Sequence, residues 1–390
     1  MKRKTKFSIF NQQSSISNRP SSIVYGLSLF ILFLIIATAL SSCKPTKDNP
    51  LDKYDRGQML AATYTNVIEP STISFKTEAN DLNDAAQAFA QAPSLSTLTA
   101  LQQQWLATQN AWQPCEAMNM GDIEESFIQN SINKWATNTT FIENFISGTD
   151  VLNAAFIENA GSTSKGLPAI EYLIYGTDNN TVLQTLTTDP NATRRMQYLT
   201  ALTANINNKA AALLTMWQAY QNTFTTQTGL AIDGSANILV NALIVDEEFV
   251  RNNKIGKPLG KYTGGTAQPS EVESPISQTS LRHIVRNLDG INALLNGNLQ
   301  GTQGNGLYTY IDAVDPMEGG VKLSDKIKGQ MQLCYTAAAN VNGSLKTAVV
   351  NNPQQVDALW VELKKLTVLL KVDMTGVLGV TVTFSDNDGD

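Results

Sequence analysis

The chain has 390 residues, with 28 Lys+Arg against 34 Asp+Glu and a formal net charge of −6, a balance that repels phosphate backbones and excludes nucleic acid as an expected partner. One histidine and three cysteines exclude two-histidine zinc motifs and cysteine-rich metal sites, so any metal would be held mainly by oxygen. A Ser-His-Asp triad would have to use His283.

Residues 1–42 read as a bacterial lipoprotein signal. Lys2, Arg3, Lys4, Lys6 and Arg19 precede an apolar run over 23–40, which ends Leu40-Ser41-Ser42-Cys43. Cleavage before Cys43 and its acylation would hold the protein on a membrane leaflet, at about 0.8 kcal/mol per buried CH₂. Losing that segment removes five cations and no acid, which takes the net charge from −6 to −11. Residues 43–56 form a lipidated tether. The rest is expected to form two domains, 57–228 and 229–390, meeting near the polar stretch 225–229. Cys115 and Cys334 are either buried thiols or one disulfide, and spacing does not choose between them.

Helical periodicity covers 54–68 and stops at Pro70; a second helix is expected over 75–90. The segment from Ser94 to about 118 places Leu98, Leu101, Trp105 and Trp112 on one face, with Glu116 one turn beyond Trp112. The pattern breaks over 121–140, where Trp135 pins a loop. Short helices are expected over 140–146 and 150–158.

Residues 165–176, Lys165-Gly166-Leu167-Pro168-Ala169-Ile170-Glu171-Tyr172-Leu173-Ile174-Tyr175-Gly176, carry the most information. Pro168 suits the first helical position, where its missing N–H costs nothing, and Gly176 the left-handed position that ends a helix. The segment is apolar nearly all round, which predicts a buried helix, and Glu171 is buried with it. A buried carboxylate needs a partner, a ligand or a proton. An acid early in a helix also favours the macrodipole, by roughly 0.3–1 kcal/mol.

The longest helix is expected over 190–224. A further one over 236–252 carries Asp246-Glu247-Glu248 and gives way to a Gly/Pro loop over 254–260 with Lys254, Lys257, Gly256, Pro258 and Gly260. A loop over 261–275 follows. Helices over 277–295, 323–350 and 353–372 complete the set, with Trp360, Leu363, Leu366 and Leu370 as a core stripe. His283, on the first of these, reads more readily as a surface or satisfied residue than as a ligand. Residues 378–384 alternate like a short strand before an acidic ending.

Taken together, the Trp105–Glu116 segment with Gly121, the Lys134-Trp135 loop, the 166–176 stretch, 254–260, the 277–297 helix and the Asp388-Gly389-Asp390 ending resemble the imelysin-like lipoproteins (insulin-cleaving membrane protease, iron-regulated protein). The resemblance implies an all-α fold of two antiparallel helical bundles, an internal duplication, with a site where they meet. It also implies a Gly-x-His-x-x-Glu metal signature. Gly166 and Glu171 match it, and Pro168 stands at the histidine position.

The binding residues expected on this basis are Gly166, Pro168, Glu171, Glu116 and Trp112, together with Trp135, Lys254, Pro258 and Gly260. Three functions follow. The first is a lipid-anchored envelope protein linked to iron uptake and to an envelope transport partner, in which Glu171, Glu116 and one acid from 246–248 hold Fe or another hard divalent cation. The second is an imelysin-type metallopeptidase with Glu171 as ligand or general base. The third is a non-enzymatic module for a peptide, glycan or protein, with Glu171 as a structural acid.

Overall fold

The computed structural model describes residues 50–315 and 320–383, which contain α-, 3-10 and π-helical segments and no β-strand. The chain divides into Met1–Lys53 and Tyr54–Asp390. The described part of the first unit is one helical turn, Pro50–Lys53; the export signal and Cys43 lie outside the described residues.

In the larger unit, α1 (Arg56–Thr63) starts where the Asp55 side chain accepts from the Gln58 amide, and runs through a π turn, Tyr64–Ile68, straight into α2 (Glu69–Gln91). Pro70 does not end a helix, contrary to the sequence expectation. It stands in the first turn of α2, just after the widened turn, where a missing N–H costs no ladder bond. Ser94 opens α3 (Leu95–Glu116) with a capping box shared with Thr97. Both α3 and the long helix Ala192–Thr226 pack on α2.

A short α4 (Gly166–Ile174) is buried between α3 and α5 (Ala192–Thr226). Phe75, Leu82 and Phe89 of α2, Leu98, Leu101 and Trp105 of α3, and Leu202, Ile206 and Trp217 of α5 form the core of this half, each worth about 1.5–3 kcal/mol of burial.

After a link over 227–234, α6 (Ser235–Phe249) continues through a second π turn, Val250–Gly256, into Lys257–Leu259. The expected Gly/Pro loop over 254–260 is therefore helical. Pro258 is tolerated in the same way as Pro70, and Gly260 closes the element with φ +85°, the left-handed conformation that glycine takes without penalty.

The second half is built from α7 (Ser280–Asn296), α8 (Leu323–Ala339) and α9 (Pro353–Val368), which turns π over Leu369–Met374. The helix expected over 323–350 is broken at Asn342-Gly343, and Ser344 caps a new one, Leu345–Asn351. Leu363, Leu366 and Leu370 are in the core, while Trp360 is half-buried under the ammonium groups of Lys261 and Lys364.

No strand forms over 378–383, the described part of the stretch expected to be one over 378–384. Thr375–Leu378 is a helical turn, and beyond it the Asn241 side-chain amide stands in for a neighbouring strand, donating to Thr381 O (3.0 Å) and accepting from Thr383 N (2.9 Å). The acidic ending lies outside the described residues.

The halves are joined where α7 packs on α3. Gly290 lies so close to Pro114 that a Cβ there would sit 2.7 Å from the proline Cα. Cys115 and Cys334 are free and buried.

Candidate functional site

Below that joint, the end of α3 delivers Glu116. Its carboxylate accepts from Trp112 Nε1 (2.8 Å) and Asn133 Nδ2 (3.1 Å) on one oxygen, and from Lys254 Nζ (2.6 Å) and Asn287 Nδ2 (2.8 Å) on the other. Glu116 is thus pinned inward, and Trp112 is the residue that aims it.

Lys254 is 1% exposed and sits in the second π turn. Its ammonium donates to Gln113 Oε1 (2.6 Å), Glu116 (2.6 Å) and Asn287 Oδ1 (2.8 Å), so all three protons are used. Glu273 Oε2 stands 3.2 Å away. Burial works against the charged form of Lys254, but Glu116 and Glu273 outweigh it and hold the amine above the ordinary lysine range. Burial likewise penalises the Glu273 carboxylate, yet Lys254, the neighbouring His283 and the Asn133 amide hold it well below the ordinary range. The opposite Glu273 oxygen accepts from Gln113 (2.9 Å) and Asn133 (2.8 Å).

His283 is fully buried. It meets Thr279 Oγ1 (3.1 Å) through Nε2 and Ser274 Oγ (3.4 Å) through Nδ1, with Glu273 Oε2 at 3.6 Å. It is a satisfied residue of the network.

Asp246 has no such support. It is buried, and its Oδ2 has no hydrogen-bond partner. Burial and the charge of Glu116 push its carboxyl well above the ordinary range, with Lys254 offsetting only part. In a regular α-helix, eight residues would place Lys254 about 80° from Asp246. The π turn between them adds a residue to one turn and brings Lys254 back toward the Asp246 face.

Asp246 and Glu116 line a cavity of about 320 Å³. Trp135 and Phe249 form an aromatic wall, with ring centroids 5.5 Å apart and nearly perpendicular planes, and Trp135 Nε1 is tied to Glu271 O at 3.2 Å. Asn119, Asn130, Asn133 and Asn253 supply amides, and Lys134, Lys257, Glu124 and Glu271 add charged groups to the lining. Lys257 is paired with Glu271 at 2.7 Å.

The 166–176 stretch lies at the other end of the same polar seam. Gly166 has φ +80°, and a side chain there would run into the Ile132 carbonyl. Pro168, expected at the first helical position, is the third residue of α4, buried next to Leu167, whose carbonyl accepts from Trp105 Nε1 at 2.9 Å, and Gly176 does not take the expected left-handed conformation. Glu171 Oε1 accepts two backbone amides of the segment that enters α7, Ile276 N (3.1 Å) and Ser277 N (2.7 Å). Burial holds its carboxyl above the ordinary range, against the pull of these donors and of His283.

Glu116 and Glu171, expected to share a cation, therefore have separate partner sets. Among the described residues no three His, Cys, Asp or Glu side chains form a group that could hold a metal ion. Pro168 offers no ligating atom, and Glu171 spends one oxygen on two amides. The residues present do not fit a metallopeptidase centre.

Of the expected binding residues, Trp112, Glu116, Trp135 and Lys254 come together. Gly166, Pro168 and Glu171 form the clamp at the far end, and Pro258 and Gly260 shape the helix end beyond Lys257. Glu273, Asn133, Asn287 and Gln113 were not singled out. Gln109 and Gln113 lie on α3 beside the Trp105–Trp112 stripe, a polar intrusion on an apolar face that periodicity alone displays. Glu273 and Asn133 come from loops, where no periodic signal exists.

The family model described as Imelysin (Peptidase_M75) matches residues 68–371. The iron-regulated protein A of Synechococcus elongatus is 24% identical over 266 residues, covering 65% of this chain and 67% of that one. Two crystal structures share the fold. One, from Parabacteroides distasonis and assigned as an iron-regulated protein A precursor, has TM-score 0.69 and 18% identity, covering 86% of this chain and 97% of that one. The other, an imelysin-like protein of Psychrobacter arcticum, has TM-score 0.70 and 18% identity, covering 85% and 97%.

Proposed function

We infer that this chain, which belongs to the imelysin family, is a ligand-binding protein of the bacterial envelope, anchored through Cys43, and not a metallopeptidase. The observation that supports this reading is the cavity beside Lys254: a preformed, polar, aromatic-walled space that ends on a buried carboxylate without a partner. Pockets of this kind, with a few convergent polar groups and perturbed acids, are characteristic of binding sites.

The names of the relatives suggest a link to iron supply. We place that link in what the cavity binds or in an envelope transport partner, since Glu116 and Glu171 do not share a coordination space. Hydrolysis would require an activated water or nucleophile. Lys254 is charged and fully engaged, which leaves it no lone pair for general-base work.

Hydrogen exchange on the full mature protein tests this. A panel of amines, amino acids, sugars and carboxylates is expected to contain at least one class that slows exchange in both 129–135 and 242–253. Protection confined to other segments, or chelator-sensitive cleavage of insulin chain or casein, would overturn the reading.

A further inference from the structure

We propose that the cavity beside Lys254 is a subsite for an aliphatic cation, a primary ammonium or guanidinium on an alkyl stem, whose charged head pairs with Asp246 and whose stem lies against Trp135 and Phe249. This rests on the binding reading above and names the ligand class for the same site.

The charge inventory points this way. Glu116, Glu273 and Asp246 surround one lysine, and that lysine gives its three protons to Gln113, Glu116 and Asn287. Nothing on the chain donates to Asp246 Oδ2, although the residue is only 5% exposed and lines the cavity. Oδ2 is itself sealed from solvent, so a ligand ammonium or guanidinium supplies the missing donor as the Asp246 carboxyl turns toward the cavity that the residue lines.

The wall suits the rest of such a ligand. The Lys254 ammonium already stands 5.4 Å from the Trp135 ring centroid and 5.8 Å from that of Phe249. These rings therefore lie in a cationic neighbourhood, and their apolar surfaces accept methylene groups. A cavity of about 320 Å³ admits a lysine-sized side chain with water. A bare divalent cation is less well served, since no group of three ligating residues stands together among the described residues. Lys134 and Lys257 also line the cavity, so an anionic ligand is the natural competing outcome; Lys257 is already neutralised by Glu271.

Binding should strengthen as pH rises. Asp246 shares its surroundings with Glu116, Glu247 and Glu273, whose charges disfavour its ionised form, and with Lys254, which favours it. Protonation of the empty site is therefore favoured over that of an ordinary aspartate, and a cationic ligand works against it.

Titration calorimetry of the full mature protein in detergent tests this with five probes: cadaverine and agmatine as free cations, a blocked Ala-Lys-Ala peptide, and 1-pentanol and pentanoate as neutral and anionic counterparts. Cadaverine or the peptide is expected to bind, releasing protons at pH 6. Asp246→Asn should weaken binding at least tenfold while melting no lower than the wild type. Preference for the free amine or for the peptide identifies the source of the ligand, and either supports the assignment. Pentanoate or a divalent metal binding in place of the amines, or amine binding unchanged in Asp246→Asn, would overturn it. If no amine binds while another class protects 242–253 in hydrogen exchange, the cation assignment falls alone. If nothing binds there, the reading beneath it falls as well.

Discussion

Glu171 and Lys254 are both buried ionisable residues, and their surroundings give them different work. Glu171 receives two backbone amides and no cation, so it fastens α4 to the chain entering α7. Glu171→Ala would strand both N–H groups in the interior, at about 1–3 kcal/mol each. A melting temperature lower by several degrees is expected, whereas Glu171→Gln, which keeps an accepting oxygen, should lose less. Equal losses in the two variants would argue that the amides are not what Glu171 serves.

Lys254 is the opposite case, a cation that neutralises two buried acids. Lys254→Met would leave Glu116 and Glu273 uncompensated. Breaking such a pair by removing one partner costs about 3–5 kcal/mol. The loss should be greater at pH 8 than at pH 5, because acid lets the orphaned carboxyls take up protons. Urea denaturation at the two pH values measures this, and a deficit independent of pH would contradict the ion network described.

At the scale of elements, the two π turns explain what the sequence hid. Pro70, Gly256 and Pro258 are ordinary helix breakers, and from sequence they mark a stop and a loop. The chain instead widens one turn and continues, which puts Lys254 on a rigid element facing Asp246. The α3 stripe, with Glu116 one turn past Trp112, was legible because its period is regular. Its loop-borne partners Asn133 and Glu273 were not, since their placement depends on the whole fold.

The packing of α6 on α9 carries its own prediction. Glu247 donates nothing and accepts from Thr367 at 2.7 Å, while its other oxygen is buried without a partner. Burial pushes its carboxyl up to about 8, from an ordinary 4.5. The native state therefore keeps a proton that the unfolded chain has released. Stability should fall as pH rises across that window. Asp246 acts in the same direction, while the depressed Glu273 contributes stability that is lost only in strong acid. Thermal melts are expected to be higher at pH 5 than at pH 8.5, with Glu247→Gln reducing the slope; a wild-type melting point that rises with pH would refute this assignment.

On the scale of the molecule, an all-α fold was readable from the periodic helices and the Gly/Pro punctuation. The division into bundles at 228/229 is a proposal, consistent with the link between α5 and α6. The joint of α3 with α7 is where the halves meet, and the polar seam from Glu171 through His283 and Glu273 to Lys254 and Glu116 runs along it. Pro168 was visible in the sequence, and its side chain brings no ligating atom to that end of the seam. The cavity was not visible, because its lining is drawn from four separate stretches of chain that only the folded protein brings together.

The central claim is that the ligand site is the cavity beside Lys254 and not the helix that carries Glu171. A crystal structure of the mature protein, grown with the panel compound that gives the strongest exchange protection, tests it directly. Ligand density is expected between Trp135, Phe249 and Asp246, with Glu171 still bound to the Ile276 and Ser277 amides. Density against Pro168 and Glu171, with those amides released and the cavity filled only by water, would contradict the account.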